Sequence, residues 1–304
     1  SYGKATIFCV QKGASATIMT LSRTDLAVET AEELSSSRDI FSPGTGVTRT
    51  ESLHCGCPVT RIRVATDAGA ALLGRPPGAY VTVDLRPLLS RQEPLLPRAA
   101  ACLSRELRAL LPPGEGTALV VGLGNSAMTP DAVGTAALEH LLVTRHLLQA
   151  MPRQFAGLRP VASLRPGVLS ATGVETLELI RGAAAHIRPA VVIVIDALAA
   201  RSRDRLCATI QLGDTGLIPG SGVGNHRKAV NARTLRLPVV AVGVPTVIDG
   251  AALCGDEDAA PSGLFVTPQD IDRRIRDMGA LLGTAITLAL QPTLTAADVT
   301  ALLG

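Results

Sequence analysis

Apolar runs of strand length alternate with segments of helical periodicity along most of the chain. Strands are predicted where apolar and β-branched residues are contiguous, at 61–66, 80–85, 118–121, 190–195, 207–212 and 237–242. Helices are predicted where apolar residues recur at helical spacing between capping and stop signals, at 98–111, 129–149, 172–187, 267–290 and 295–303. This alternation predicts an α/β fold with a mainly parallel or mixed sheet and helices on both faces.

The amino-terminal part follows this pattern less clearly. Clusters of Ser, Pro and Gly at 35–37 and 42–44 are typical of loops. We therefore expect a less regular portion, about 26–90, within a single domain that extends from 26 to 304. The apolar run at 5–10 is too short for a signal peptide, and the run at 278–290 falls short of the ~20 residues of a membrane span. These features predict a cytoplasmic protein without a membrane partner.

The composition argues against a nucleic-acid partner. Aromatic residues make up only 2% of the chain and Trp is absent, so few side chains could stack on bases. The net charge is +3, and acidic and basic residues are interspersed. No basic stripe of the kind that binds phosphate backbones is present in the sequence.

Two aspartates follow predicted buried strands. Asp131 lies just beyond the strand at 118–121, and Asp196 directly follows the strand at 190–195. Sites in open α/β sheets lie at the carboxyl ends of strands, so neighbouring strands would place both carboxylates in one crevice. Two close carboxylates resist ionising together, and one keeps a proton. The ionised member can activate water while the protonated member polarises a carbonyl, which amounts to peptide hydrolysis.

The ordinary interpretation of these aspartates is structural. Asp131 in a first helical turn would interact with the helix dipole, and Asp196 could cap the segment after its strand. The same helix terminus favours an ionised Asp131, so we expect Asp131 to be the base and Asp196 to hold the proton.

The sequence motifs of other enzyme classes are incomplete or absent in this sequence. Gly122-Leu123-Gly124 lacks the third glycine of a dinucleotide loop and lies too far from the next helix cap. The sequence contains no phosphate-binding P-loop, no His-Glu-x-x-His and no Gly-x-Ser-x-Gly. Cys55 and Cys57 lack a second pair at zinc spacing, so reduced thiols are expected. We predict no cofactor and no metal.

Several segments resemble the germination protease family of spore-forming bacteria, in family order over about residues 22–250. They are RTDLAVE at 23–29, VVGLGN at 120–125 with TPDA at 129–132, LVTRHL at 142–147, TGVET at 172–176, IDALAARS at 195–202, DTG at 214–216 with PGSGVGN at 219–225, and GVPTV at 243–247. The chain departs from the family pattern at Met128, where Val is usual, and at Ile218, where His is usual.

The resemblance implies an endopeptidase that degrades small acid-soluble spore proteins early in germination. It implies a fold similar to the hydrogenase-maturation peptidases, a homotetramer and a location in the spore core. The family's proposed catalytic pair falls on Asp131 and Asp196. The family is made as a zymogen that cleaves itself, and the matching position lies between Asp25 and Leu26, so residues 1–25 are expected to be a propeptide.

Four further residues are candidates from their positions in matched loops. Asp214 and Asp249 could support the pair or contact substrate. Arg227 and Lys228 could receive an acidic substrate side chain by charge pairing, or could simply be solvated. Two alternatives stay open: a metal-dependent, maturation-type peptidase that uses the same carboxylates, and a non-catalytic module that binds spore proteins or a nucleotide.

Overall fold

The computed structural model describes residues 24–37, 39–89, 95–221, 227–251 and 263–303. Of the expected propeptide at 1–25, only Thr24 and Asp25 are described, and the rest lies outside these ranges. Within the described residues, no helix combines the length and the apolar character that crossing a membrane would require.

Nine strands in the described ranges form one mixed sheet, in the order β1-β2-β3-β7-β8-β6-β4-β5, with β9 on the end of β8. Their bounds are β1 Val47–His54, β2 Cys57–Val64, β3 Gly78–Asp84, β4 Ala118–Gly122, β5 Val161–Leu164, β6 Val191–Ala200, β7 Thr209–Gly213, β8 Val239–Asp249 and β9 Phe265–Val266. Strands β8, β6, β4 and β5 run parallel, and the remaining pairs are antiparallel. The predicted α/β class with a mixed sheet is confirmed.

Helices cover both faces of the sheet, as predicted. Their bounds are α1 Ala27–Ser37, α2 Asp67–Leu73, α3 Arg86–Leu89, α4 Leu95–Leu110, α5 Val133–Glu139, α6 Arg145–Ala150, α7 Leu169–Thr172, α8 Thr176–Ile187, α9 Ala232–Leu235, α10 Ile271–Leu290 and α11 Ala296–Leu303. Alternate residues of β4 and β6 face opposite sides: Val120 and Ile193 pack with α4, α5 and α10, whereas Leu119 and Val192 pack with α8.

The amino-terminal portion is more regular than expected. Strands β1 and β2 form a hairpin whose two turn residues, Cys55 and Gly56, both have positive φ. Strand β1 has only Val47 buried, because it is the edge strand of the sheet. Its sequence therefore carries no apolar alternation from which the strand could have been predicted.

The predicted continuous helix at 129–149 is wrong. The chain instead forms a 3-10 turn at Thr129–Asp131, then α5, then an irregular segment before α6. The break is held by Thr144, whose N–H donates to the carbonyl of Val161 (3.0 Å) and whose Oγ1 donates to the carbonyl of Arg159 (2.6 Å). These tertiary hydrogen bonds replace the bonds that a continuing helix would have made.

Candidate active site

Asp131 lies in a tight loop at the carboxyl end of β4. The loop is tied to the neighbouring strand, because the Leu123 N–H donates to the carbonyl of Ile195 (2.9 Å). Gly124 has φ +98, and a Cβ there would lie 1.9 Å from the carbonyl oxygen of Asp131. A glycine is therefore needed for this approach. The next residue, Asn125, donates its backbone N–H to Asp131 Oδ2 (2.7 Å), so this turn fixes the direction of the carboxylate.

Asp196 lies inside β6 and not at its end, which corrects the predicted strand boundary. Strand β6 continues to Ala200 because β8 still pairs with it there, through Ala200 and Ile248. The neighbour of Asp196 on β8 is Gly243, and the place where a Cβ would lie at Gly243 is filled by the side chain of Leu198. Asp196 is 5% exposed.

The structure brings Asp131 and Asp196 together. Burial raises the pKa of Asp196 well above its ordinary value, and the negative charges of Asp131 and Asp25 raise it further. Backbone N–H groups of Ala197 and Gly220 act in the opposite direction. Burial also raises the pKa of Asp131, opposed by the Asn125 N–H. Asp196 therefore holds a proton most readily, and Asp131 is the more easily ionised member of the pair.

A crevice of about 500 Å³ opens onto this pair. Its polar wall includes Asp131, Asp196 and Arg227. Much of the rest is apolar and is contributed by Met128, Val168, Leu169, Leu198, Val247 and Phe265. A concave, largely apolar site with a few convergent polar groups is suited to binding an extended peptide with apolar side chains.

The peptide segment at Asp25 lies in the same region. The Asp25 N–H donates to the carbonyl of Ala199 (2.9 Å), and the Ala199 N–H donates to Asp25 Oδ2 (2.9 Å). Ser221 Oγ donates to Asp25 Oδ1 (2.8 Å). Gln211, on β7, contacts the peptide on both sides of the Asp25–Leu26 bond. Sequence reasoning missed the contacts that Ala199, Gln211 and Ser221 make with this segment, because their nearness to Asp25 depends on the tertiary fold.

Glu29 anchors the segment that follows Asp25. Its side chain is 1% exposed and accepts hydrogen bonds from the backbone N–H groups of Arg201 (2.7 Å) and Ser202 (2.9 Å). Thr24 Oγ1 also donates to it, and the Arg205 guanidinium lies 3.4 Å away. The start of α1 is thereby fixed to the end of β6, close to the aspartate pair.

The four further candidates occupy different places. Arg227 lines the crevice, whereas Lys228 pairs with Glu178 at the surface (3.4 Å). Asp214 is exposed beyond β7 and accepts a hydrogen bond from the Ala79 N–H (2.7 Å).

Asp249 is the last residue of β8 and lies six residues beyond Gly243, the neighbour of Asp196. Six residues of extended strand separate Asp249 from Gly243 by about 20 Å. Its Oδ1 accepts from the Ala251 N–H (2.9 Å). Substrate contact by any of these four residues stays a prediction.

Among the residues that the structure describes, no three His, Cys, Asp or Glu side chains group as ligands of one ion. Cys55, Cys57, Cys102 and Cys207 are free thiols, and Cys57 and Cys102 hydrogen-bond to one another between β2 and α4.

Comparison with known proteins identifies the family. The family model described as germination protease matches residues 22–260, most of the chain. The chain belongs to the germination protease family. It is accordingly a hydrolase, an endopeptidase of spore germination.

Individual relatives agree with this assignment. A germination protease of Caldanaerobacter subterraneus subsp. tengcongensis is 36% identical over 92% of this chain and 98% of its own length. One from Clostridium perfringens is 35% identical over 91% of this chain and 97% of its own length. One from a Geobacillus strain is 42% identical over 77% of this chain and 65% of its own length.

Proposed function

We propose that this germination protease is made as a zymogen, removes its own amino-terminal segment, and starts the degradation of small acid-soluble spore proteins with water activated by Asp131 and Asp196. The observation that carries the proposal is that the negative charge of Asp131 raises the pKa of Asp196 in a shared crevice. Burial together with this charge keeps the proton on Asp196.

The mechanism assigns one role to each carboxyl group. The Asp131 carboxylate removes a proton from water as the water oxygen bonds to the scissile carbonyl carbon. The Asp196 carboxylic acid donates a hydrogen bond to the carbonyl oxygen, where negative charge develops. The carbon–nitrogen bond then breaks, and the proton held by Asp131 passes to the leaving nitrogen. The products are a carboxyl group and an amine.

Self-cleavage between Asp25 and Leu26 is supported by the position of Asp25. Gly220 donates its N–H to Asp196, and the next residue, Ser221, donates its hydroxyl to Asp25. One loop thus contacts both the proposed acid and the residue before the proposed cleavage position. We propose further that the active form is a homotetramer in the spore core.

Replacement of either aspartate tests the mechanism. Full-length wild-type protein, Asp131→Asn, Asp196→Asn and the exposed-site control Asp272→Asn are incubated alone and with a purified small acid-soluble spore protein. Mass spectrometry should find a new amino terminus at Leu26 and cleaved substrate for wild type and Asp272→Asn only. Cleavage by both pair variants at the wild-type rate would overturn the proposal.

The metal-dependent alternative predicts a different response. A peptidase that needs a divalent ion between the carboxylates should lose activity after dialysis against a chelator and regain it when the ion is returned. The aspartate mechanism predicts unchanged rates in both conditions.

A further inference from the structure

The Asp25–Leu26 peptide is held by the side-chain amide of Gln211. Gln211 Nε2 donates to the carbonyl oxygen of Asp25 (2.9 Å), and Gln211 Oε1 accepts from the N–H of Ala27 (2.6 Å). A backbone carbonyl only accepts and a backbone N–H only donates, so these partners fix the orientation of the amide. Gln211 therefore spans the peptide bond with one hydrogen bond on each side.

The Asp25 carboxylate is held by neutral donors. Its Oδ1 accepts from Ser221 Oγ (2.8 Å) and its Oδ2 accepts from the backbone N–H of Ala199 (2.9 Å). The main chain of Asp25 adds a further bond, from its N–H to the carbonyl of Ala199 (2.9 Å). An acidic side chain and its own backbone are thus recognised together by one residue of β6 and one loop hydroxyl.

Arg75 places a positive charge next to this segment. The Arg75 guanidinium donates to the carbonyl of Thr24 (2.8 Å), the residue before Asp25. Arg75 is half-buried, and desolvation lowers the pKa of its guanidinium, whereas the negative charge of Asp25 raises it. The positive charge of Arg75 therefore favours an anionic side chain where Asp25 lies.

Resting on the proposed function, we propose that these contacts form the subsite for protein substrates. Ser221 and the Ala199 N–H receive an acidic side chain on the amino-terminal side of the cleaved bond. Gln211 binds the main chain across that bond, with its Nε2 on the carbonyl oxygen that becomes negative. Asp25 occupies the subsite in the uncleaved chain, and removal of residues 1–25 vacates it for substrate.

The assignment differs from recognition by surface cations. Lys228 is paired with Glu178 at the surface, and Arg227 lines the crevice, whereas the contacts to the Asp25 carboxylate come from Ser221 and Ala199. A carboxylate accepts charge-assisted hydrogen bonds from both the Ser221 hydroxyl and the Ala199 N–H. An amide could place its oxygen on the Ala199 N–H and its NH2 group on Ser221 Oγ, but both of those hydrogen bonds are between neutral groups and are weaker.

Substitutions of Ser221 and of Gln211 should change different kinetic constants. Peptide pairs that carry Glu or Gln before the cleaved bond are assayed with self-processed enzyme. Ser221→Ala should reduce the preference for Glu over Gln about tenfold, because it removes a hydrogen bond to a charged group. Ser221→Thr keeps a hydroxyl and should retain the preference. Gln211→Leu should lower kcat about 100-fold for both peptides alike, because the main-chain carbonyl oxygen loses a donor in the transition state.

The controls separate the subsite from the chemistry. Gln154→Leu, at an exposed glutamine, should behave as wild type. Thermal unfolding and circular dichroism show whether each variant is folded. Unchanged Glu preference in folded Ser221→Ala, or unchanged kcat in folded Gln211→Leu, would overturn the subsite assignment. If instead the proposed function were wrong, the wild-type protein itself would cleave neither peptide, so the two failures are distinguishable.

Discussion

Asp131 lies close enough to Asp196 for its negative charge to raise the pKa of the Asp196 carboxyl group. One residue comes from a 3-10 turn after β4, and the other lies inside the parallel neighbour β6. The parallel pairing of β4 with β6 brings the two together. This arrangement makes the pair chemically unequal, which a general base and a general acid require.

The burial of Asp196 should make the fold less stable as pH rises. Folding raises the pKa of this carboxyl group above its unfolded value, which is near 3.9. At pH values between the unfolded and the folded pKa, the folded state therefore binds more protons than the unfolded state. The contribution of Asp196 to the free energy of unfolding therefore falls as pH rises through this window and stays constant above it.

Asp196→Asn removes this titration, so the variant should gain stability relative to wild type as pH rises above about 4. The gain is about 1.4 kcal/mol for each unit by which folding raises the pKa of Asp196. Urea unfolding at several pH values measures it, with Asp272→Asn as the control. A difference from wild type that does not change between pH 3 and pH 8 would contradict a raised pKa.

Gly124, whose backbone packs against the main chain of Asp131, should be essential for activity. An alanine at Gly124 would place its Cβ 1.9 Å from the carbonyl oxygen of Asp131, so the loop must move and carry the carboxylate with it. Small displacements of a reacting group can cost about 100-fold in rate. We expect Gly124→Ala to lower kcat by about that factor.

Gly114 offers a matched control. It has a similar φ, +104, but no atom lies within 4 Å of an added Cβ. Gly114→Ala should therefore cost only the strain of a left-handed alanine, about 1 kcal/mol of stability, and leave kcat unchanged. Equal kcat for the two alanine variants would show that the contact with Asp131 does not matter.

A partly buried ion pair joins the β1–β2 hairpin to α4. Glu106 is 2% exposed, accepts from Arg61 Nε (2.9 Å) and Nη2 (2.6 Å), and lies 2.7 Å from His54 Nδ1. Glu106→Ala leaves the Arg61 guanidinium, whose side chain is 33% exposed, without its carboxylate and should lower the free energy of unfolding by about 2 kcal/mol.

The exposed pair of Arg49 and Glu51 provides the comparison, because Glu51→Ala should change stability by less than about 1 kcal/mol. Denaturant unfolding compares the two variants directly. Equal losses would mean that burial contributes nothing to the strength of the Glu106 pair.

The buried strands and the catalytic candidates were predictable from sequence, because contiguous apolar residues and the aspartates that follow them are local signals. The strand containing Val120 and the one containing Ile193 were both found in this way. The length of β6 was not, since Ala197–Ala200 is held in the sheet by β8 and has no distinctive pattern of its own.

Contacts between distant segments could not be predicted from local pattern. Gln211 is one polar residue in a short antiparallel strand, and only the pairing of β7 with β3 and β8 brings it to the Asp25–Leu26 bond. The helix break at Thr144 has the same origin, because its partners Arg159 and Val161 are supplied by the tertiary fold.

The protonation state of Asp196 tests the central claim most directly. Infrared difference spectroscopy of carbon-13-labelled aspartate follows the stretch of protonated carboxyl groups during a pH titration of wild type, Asp196→Asn and Asp131→Asn. The account predicts that one aspartic acid stays protonated well above pH 4, is absent in Asp196→Asn, and titrates at lower pH in Asp131→Asn. An Asp196 band that titrates near pH 4 in wild type and does not move in Asp131→Asn would contradict it.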